Sequence, residues 1–307
     1  MTDFPKRLEE INQYAESDPK GLIETSEKRY GAIIDSVVEK VNENNLNTVI
    51  MLAGPSSAGK TTTARILRDK LTESGVSAYE ISLDDFYLGA DMAPVGPDGE
   101  KDFETVEALD LPFLKETIKK LLSGEGCDIP IFDFKTSKRS DRWNHIELKE
   151  GDVVIFEGLH ALNPVITDDF ENENLIKLYI SLLTRIYDKD DNIIISRRDA
   201  RLIRRIVRDY NHRGSSVEKT FELWQKVKSG ENKYLFPYED EAYLKIDSFH
   251  PYEECMIRDC AIEILSRLSP ESEYYEKGMG LIENLKKFSS IPLCMLPGDS
   301  ILNEFMK

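Results

Sequence analysis

Residues 54–61 read Gly-Pro-Ser-Ser-Ala-Gly-Lys-Thr, a complete GxxxxGK[ST] pattern. The run before it, 47–53, is apolar and β-branched, and apolar residues recur at helical spacing behind it over 64–71. A strand, a glycine-rich turn and a helix in this order direct backbone N–H groups and a helix N-terminus at an anion. The sequence therefore predicts a strand–loop–helix unit that binds a nucleoside triphosphate. An ordinary glycine turn is the alternative.

Each residue type in this loop has a predicted role. The glycines keep Cβ atoms away from the phosphates, the Lys60 ammonium group contacts the β- and γ-phosphate oxygens, and the Thr61 hydroxyl ligates Mg²⁺. ATP and Mg²⁺ are the expected cofactors, because a guanine-reading Asn-Lys-x-Asp string is missing and the nearest segment, 232–235, reads Asn-Lys-Tyr-Leu. The predicted nucleotide-binding residues of the loop are Gly54, Ser56, Ser57, Ala58, Gly59, Lys60, Thr61 and Thr62.

Composition narrows the class of protein. The 307 residues carry a net charge of −17, which argues against a nucleic-acid partner because counterion release needs a basic surface. No apolar run approaches ~18 residues, and the N-terminus lacks an apolar signal segment, so we expect no membrane partner and a cytoplasmic location. The four cysteines form no CxxC pair and are expected to be reduced thiols.

The pattern of elements indicates three segments. Residues 1–45 predict an N-terminal helical extension, 46–268 a kinase-type domain, and 269–307 a C-terminal helical tail packed on the core. The middle segment alternates strands and helices, which favours a three-layer α/β fold: a parallel sheet with helices on both faces. The strands are predicted over 77–83, 129–134, 152–156 and 175–182, and the helices over 114–122, 198–210, 220–228 and 281–288.

Two predicted strands end in carboxylates. The strand 152–156 is followed by Glu157, which we expect on the Mg²⁺ side of the carboxyl edge of the sheet. The strand 77–83 is followed by Asp84, expected one strand away from the phosphate loop, where it can accept the proton of an attacking hydroxyl. A solvated glutamate and a turn-capping aspartate are the respective alternatives.

Arginine is concentrated between residues 196 and 213, which carry seven arginines in an otherwise acidic chain. Arg197, Arg201, Arg205 and Arg208 share one face of the predicted helix, and Arg204 lies beside that face. Guanidinium groups donate in pairs to phosphate oxygens and stabilise transition-state charge. The pattern indicates phosphate binding, with a solvated, salt-bridged helix as the alternative.

Six segments, in order and spacing, resemble the uridine kinase and phosphoribulokinase family of phosphate-loop kinases. The resemblance covers roughly residues 46–250, and within the family it is strongest to uridine kinase-like bacterial nucleoside kinases. The segments are GPSSAGKTT at 54–62, SLDDFY at 82–87, DFETVEALDL at 102–111, IPIFDFKTSKR at 129–139, VVIFEG at 153–158 and DARLIRRIVRDYNHRG at 199–214.

The resemblance implies roles around the acceptor. Asp84 matches the catalytic base, and Tyr87 matches a tyrosine of the acceptor pocket. Glu104 stands where an aspartate holds the ribose hydroxyls, and Arg201 matches an arginine on the same sugar.

The resemblance also implies roles around the triphosphate. Arg204 and Arg208 fall in an arginine-rich lid helix, about 196–216, that closes over the nucleotide. Arg204 joins Asp84 and Lys60 as catalytic residues, Arg208 joins the nucleotide-binding set, and Thr61 and Glu157 hold the metal.

Departures from the family occur where the acceptor is selected. Phe132 and Ser137 occupy the positions of a tyrosine and a histidine that contact the pyrimidine ring, so the acceptor site is predicted to discriminate less by hydrogen bonding. Glu104 replaces an aspartate and would shift the sugar contact by about 1 Å. The connection 183–196 is longer than in uridine kinases.

The sequence thus predicts an ATP- and Mg²⁺-dependent kinase with a small-molecule hydroxyl acceptor, preferably the 5′-hydroxyl of a nucleoside. The first alternative is a kinase for a sugar, sugar phosphate, inositol or pantothenate-like acceptor. The second is a nucleotide-binding regulatory protein without transfer activity. The oligomeric state stays open, with a homo-oligomer as one expectation.

Overall fold

The computed structural model of the chain describes residues 4–43, 46–96, 99, 101–133, 136–170 and 174–306. Of the segments predicted above, positions 1–3, 44–45, 97–98, 100, 134–135, 171–173 and 307 lie outside these ranges. The helices are α1 (Leu8–Ser17), α2 (Pro19–Val41), α3 (Lys60–Glu73), α4 (Leu111–Leu122), α5 (Pro164–Thr167), α6 (Arg197–Arg213), α7 (Val217–Tyr234), α8 (Glu253–Leu265), α9 (Tyr275–Leu285) and α10 (Asn303–Met306). The strands are β1 (Thr48–Ala53), β2 (Ala78–Ser82), β3 (Cys127–Asp133), β4 (Lys138–Ile146), β5 (Val153–Gly158), β6 (Leu175–Ser181), β7 (Ile186–Tyr187), β8 (Ile193–Ile195) and β9 (Leu244–Asp247).

In the described residues the central sheet has the strand order β2-β5-β1-β6-β9, and every neighbouring pair is parallel. The register sets Leu52 of β1 opposite Glu157 of β5, and Ser82 of β2 opposite the same glutamate. The carboxyl ends of β1, β5 and β2 therefore lie side by side. Two antiparallel hairpins, β3–β4 and β7–β8, stand apart from this sheet.

Alternate residues of β1 separate the core into two layers. Ile50 and Leu52 face a cluster that includes side chains of α2, α3, α6 and α8. Val49 and Met51 face a second cluster that includes side chains of α4 and β3. The sheet is thus covered on both faces, and the predicted three-layer parallel α/β fold is confirmed.

Local sequence explains the ends of α6. The Ser196 side chain accepts from the Asp199 N–H at the start, and Gly214 ends the helix in a left-handed conformation at φ +62°. Every residue from Ala200 to Asp209 is buried. The helix expected to act as a lid is packed into the core along most of its length, and its exposed residues lie in the first turn, at Arg197 and Arg198, and in the last turn, at 211–213.

Several elements differ from the predicted ones. The strand β4 and the helix α8 were not predicted, and α9 contains Gly278 and Gly280, which were expected to precede the helix. The long connection 183–196 forms the β7–β8 hairpin, and the Arg7 guanidinium donates to the Asp188 carbonyl at its turn, 2.9 Å away. Across the described residues, every helix is too short or too polar to span a bilayer.

Candidate active site

The glycine-rich loop joins β1 to α3 in a conformation that depends on Gly59. This residue has φ +93° and is the N-cap of α3, and a Cβ added there would overlap the Ile301 side chain. Ser57 also has a positive φ, +60°. Its buried hydroxyl has no hydrogen-bond partner among the described residues, so the loop presents unsatisfied polar groups of the kind that bind phosphate.

A buried ion pair holds the loop from behind. Arg201 donates to both Glu231 oxygens at 2.6 and 2.8 Å, and the two side chains are 2% and 1% exposed. Glu231 accepts from the Ser56 N–H at 2.8 Å, and Arg201 donates to the Ser56 carbonyl at 3.0 Å. The Arg201–Glu231 pair therefore fixes both backbone groups of Ser56.

Arg204 is fully buried and lies behind the same loop. It donates to both carboxylate oxygens of Glu253, and it also donates to the Ser248 carbonyl at 2.9 Å and the Ser57 carbonyl at 3.3 Å. Its guanidinium stacks on the Phe305 ring, 4.9 Å from the centroid. Buried glutamates on α7 and α8 thus hold Arg201 and Arg204 behind the loop, and neither side chain is part of the lining of the cavity in front of it.

In front of the loop is a cavity of about 320 Å³. Its size falls within the range of small-ligand pockets. It brings together most of the predicted site and adds residues that were given no role. The lining is Ser56, Ser57, Gly59, Lys60, Thr61, Asp84, Tyr87, Glu104, Glu157, Gly158, Leu159, Arg205, Arg208, Arg213, Val227, Glu231 and Glu304.

The sheet edge contributes two acids to the cavity. Glu157 ends β5 and accepts from the Thr61 hydroxyl at 3.2 Å. Asp84 follows β2 in a short 3₁₀ turn. Because β5 lies between β2 and β1, Asp84 is two strands from the loop; the prediction of one strand was wrong, and Glu157 occupies the neighbouring strand.

Both carboxyl groups have raised pKa values. Burial is the largest cause for each and outweighs the Lys60 ammonium, which favours the charged forms. Asp85 further raises the pKa of Asp84, whereas the nearby Tyr87 hydroxyl opposes the rise. A cation entering the cavity would stabilise both carboxylates.

Tyr87 and Glu104, which were both predicted to contact the acceptor, line the same cavity. The Tyr87 hydroxyl donates to the Phe103 carbonyl at 2.9 Å. Burial, followed by the Glu231 and Asp84 carboxylates, raises the pKa of Glu104 to about 7. Glu104 can therefore both donate and accept hydrogen bonds near neutral pH.

Phe132 and Ser137 lie outside the cavity lining. Phe132 is buried edge-to-face against Tyr87 at 5.6 Å, and its backbone N–H donates to Asp85 at 2.9 Å. Ser137 sits in the β3–β4 turn at φ +53°, where its carbonyl accepts from the Ala90 N–H at 2.9 Å. Of the two, Phe132 shapes the site indirectly by fixing the Tyr87 ring.

Three arginines of α6 form the basic wall of the cavity. Arg208 donates to Asp209 at 2.9 and 3.0 Å, Arg205 lies 3.2 Å from the same carboxylate, and Arg213 lies 3.6 Å from it. Arg205 also donates to the Ser56 hydroxyl at 2.8 Å. One buried acid thus gathers three cations beside the loop, leaving the set with net positive charge.

The structure adds four charged residues that were given no individual role: Arg205, Arg213, Glu231 and Glu304. The arginine spacing contained a signal for Arg205, which was placed on the same face as Arg208. No sequence pattern pointed to Glu231 or Glu304, because each is more than a hundred residues away in sequence from the loop residue that it contacts.

The residues present fit a nucleotide and a divalent cation. The loop offers an unpartnered hydroxyl and a helix N-terminus, and Lys60 with the basic wall offers positive charge. In the described part of the chain, no group of three or more His, Cys, Asp or Glu side chains is arranged to hold a metal alone. The Thr61 hydroxyl and the Glu157 carboxylate are the protein oxygens that fit Mg²⁺, which usually takes few protein ligands and keeps several waters.

The chain matches the model of the phosphoribulokinase / uridine kinase family over residues 49–252. It belongs to this family. The matched region contains the loop, the strands that carry Asp84 and Glu157, and α6. It ends before the segment that carries Glu304.

Two sequence relatives agree with that membership. A uridine kinase from Geobacillus sp. (strain WCH70) is 33% identical over 181 residues, 58% of this chain and 75% of that protein. Uridine-cytidine kinase-like 1 of Mus musculus is 31% identical over 191 residues, 61% of this chain, and the match spans only 31% of the mouse protein. The solved structure of a D-glycerate 3-kinase from Cryptococcus neoformans is 25% identical with a TM-score of 0.36, over 48% of this chain and 57% of that one.

Proposed function

We propose that the protein is an ATP- and Mg²⁺-dependent kinase that transfers the γ-phosphoryl group to a hydroxyl of a small molecule. One observation carries the proposal: Lys60, the Thr61–Glu157 pair and Asp84 line the same cavity in front of the loop. This is the combination that phosphoryl transfer needs, a phosphate grip, a metal site and an acid for the incoming hydroxyl.

Asp84 positions the nucleophile in this proposal. Its carboxylate accepts the hydrogen bond of the acceptor hydroxyl and takes the proton as the new bond forms. Phosphoryl transfer has a loose transition state, so orientation of the hydroxyl matters more than the strength of the base. The Lys60 ammonium in the same cavity favours the charged form of Asp84 that accepts the proton.

Positive charge balances the developing negative charge on the phosphoryl oxygens. Lys60 supplies it from the loop, and Arg205, Arg208 and Arg213 supply it from the basic wall. Mg²⁺, held by Thr61 and Glu157, would add charge neutralisation at the same oxygens. Arg201 and Arg204 contribute by fixing the Ser56 and Ser57 backbone.

The preferred acceptor is the 5′-hydroxyl of a nucleoside. The relatives named uridine kinase support it, as do Tyr87 and Glu104 in the lining of the cavity. Glu104 carries hydrogen-bonding capacity suited to sugar hydroxyls.

A non-nucleoside acceptor is the second candidate. The positions of Phe132 and Ser137 favour this candidate. The two residues stand at the sequence positions that contact a pyrimidine ring in the family, yet both lie outside the cavity lining. A sugar, a sugar phosphate or another polyol needs no such contact.

The test is ADP release by the purified chain with ATP and Mg²⁺ against a panel of nucleosides and polyols. We expect turnover with a nucleoside, and a loss of about 10³-fold in kcat for Asp84→Asn with little change in ADP affinity. Glu80→Gln is the matched control, because Glu80 is an exposed acid on the same strand.

Three results separate the alternatives. Turnover only with a non-nucleoside would replace the nucleoside by the second candidate. Nucleotide binding without turnover on any acceptor would support a regulatory protein instead. Unchanged turnover in Asp84→Asn would remove the proposed role of that carboxylate.

A further inference from the structure

Residues 300–306 form part of the cavity wall although they lie outside the family-matched region. Ser300, Ile301, Leu302, Phe305 and Met306 are all buried. Glu304, by contrast, is partly exposed and lines the cavity. The segment is therefore anchored by its apolar side chains and presents a carboxylate to the site.

The anchoring contacts reach the phosphate loop itself. Ile301 occupies the space that a Cβ on Gly59 would need. The Phe305 ring lies under the Arg204 guanidinium, which donates to the Ser57 carbonyl. These contacts make the segment a built wall of the site.

Glu304 contacts the first turn of α3. Its Oε2 accepts from the Thr62 hydroxyl at 2.8 Å. Along a phosphate loop the lysine contacts the β- and γ-phosphates, and the backbone N–H groups hold the α- and β-phosphates. The nucleoside therefore leaves the loop beyond Thr62, where Glu304 stands.

The chemistry of Glu304 limits what it can bind there. An ionised carboxylate only accepts hydrogen bonds, and beside phosphates it experiences repulsion that Arg213 and Arg204 partly offset. A donor on the nucleotide would compensate for that repulsion. The ribose hydroxyls are the nearest donors to the α-phosphate, whereas the amino group of the base lies further along the molecule.

We infer that Glu304 is a specificity-determining residue of the phosphate-donor site and accepts a hydrogen bond from a ribose hydroxyl of the nucleotide. The inference rests on the proposed use of ATP and adds a donor contact from residues 300–306. A carboxylate on a ribose hydroxyl is also the means by which many dinucleotide-binding folds select their ligand.

The test is calorimetric binding of ADP, 2′-deoxy-ADP and 3′-deoxy-ADP to the full chain. In the wild type we expect loss of the contacted hydroxyl to raise Kd about 10-fold, as for a hydrogen bond to a charged group. In Glu304→Gln and Glu304→Ala, ADP itself should bind about 10-fold more weakly, and hydroxyl removal should change Kd by less than about 2-fold. Asp299→Asn, which removes an exposed charge immediately before this segment, should behave as wild type.

Other outcomes overturn the inference in distinguishable ways. Tighter ADP binding by Glu304→Gln would mean that the carboxylate only repels phosphate. Equal sensitivity to hydroxyl removal in wild type and Glu304→Ala would place the ribose elsewhere. Failure of the wild type to bind ADP would refute the proposed function and the inference together.

Discussion

At the scale of single residues, the cavity is unusual in holding three acids that all have raised pKa values. Asp84, Glu104 and Glu157 are each raised mainly by burial, and Asp84 adds to the rise in the other two. Carboxyl groups this close oppose one another's ionisation. Each of these groups therefore keeps its proton to a higher pH than a free carboxyl group does, and a bound metal ion would oppose that shift.

Glu104 allows this to be tested through stability. Its pKa of about 7 exceeds its ordinary value of 4.5, so the folded protein retains a proton that the unfolded chain loses. The contribution of the Glu104 carboxyl group to the free energy of unfolding is fully present below about pH 4.5 and is lost as the pH rises through 7. We expect Glu104→Gln to raise the Tm of the ligand-free protein by ~5 °C at pH 8 and by much less at pH 5.

The matched control is Glu107→Gln. A hydrogen bond from Thr105 is the main cause that lowers the pKa of exposed Glu107, so its replacement should give no gain at pH 8. Thermal unfolding followed by circular dichroism measures both variants. An equal gain from Glu104→Gln at pH 5 and pH 8 would contradict the assigned pKa.

The sequence predicted these acids better than it predicted the arginines. Asp84 and Glu157 were identified because each follows an apolar strand, and such strands end at one edge of a parallel sheet. Arg201 and Arg204 were expected to bind ligand because helical spacing shows which side chains share a face. Spacing does not show that Glu231 and Glu253 lie buried behind that face, since those partners come from distant helices.

At the scale of elements, α6 has two distinct functions along its length. Arg201 and Arg204 point behind the loop to buried glutamates, whereas Arg205 and Arg208 line the cavity. These four arginines lie within two turns of one helix. Two of them support the loop, and the other two place positive charge in the cavity.

This division predicts opposite effects of two substitutions. Arg204→Ala leaves Glu253 buried without its partner, so we expect a loss of about 3–5 kcal/mol in the free energy of unfolding. Arg208→Ala should change that free energy by less than about 1 kcal/mol, because Asp209 keeps Arg205 and Arg213. It should lower kcat by about 10²-fold through lost positive charge in the cavity.

Urea unfolding and ADP release measure the two quantities. Arg197→Ala, an exposed arginine on the same helix, is the control and should change neither. A stable, poorly active Arg204→Ala protein would instead favour the direct catalytic role that the sequence suggested.

The elements that escaped prediction share a physical cause. The strand β4 is mostly exposed and polar, so it lacks the alternation that marks a half-buried strand. In α9, Gly278 is required by packing rather than by a turn, because a Cβ there would overlap Leu268. Strands buried on both faces, such as β1 and β5, were found readily because their whole length is apolar.

At the scale of the whole molecule, the terminal segments share the main core. Side chains of α1 and α2 join the same buried cluster as Ile301, Leu302 and Phe305. A polar chain links the two ends as well: the Tyr252 hydroxyl donates to Glu27 and lies 3.1 Å from the Ser300 hydroxyl. The division into 1–45, 46–268 and 269–307 stays a prediction from sequence, and we propose that all three unfold as one unit.

Phe305→Ala tests that proposal. The ring is fully buried, and its loss should cost about 3–5 kcal/mol, which lowers Tm by about 5–8 °C. The unfolding transition should remain single, because the void left by the missing ring lies in a buried cluster to which the strands of the sheet also contribute. Leu293→Ala, at an exposed position of the same tail, should leave Tm within about 1 °C. Calorimetry that showed a separate low-temperature transition, with the sheet unfolding at its original temperature, would mean that the tail is an independent attachment. In that case Glu304 would stand on a segment free to leave the cavity, and ADP affinity should fall with the first transition.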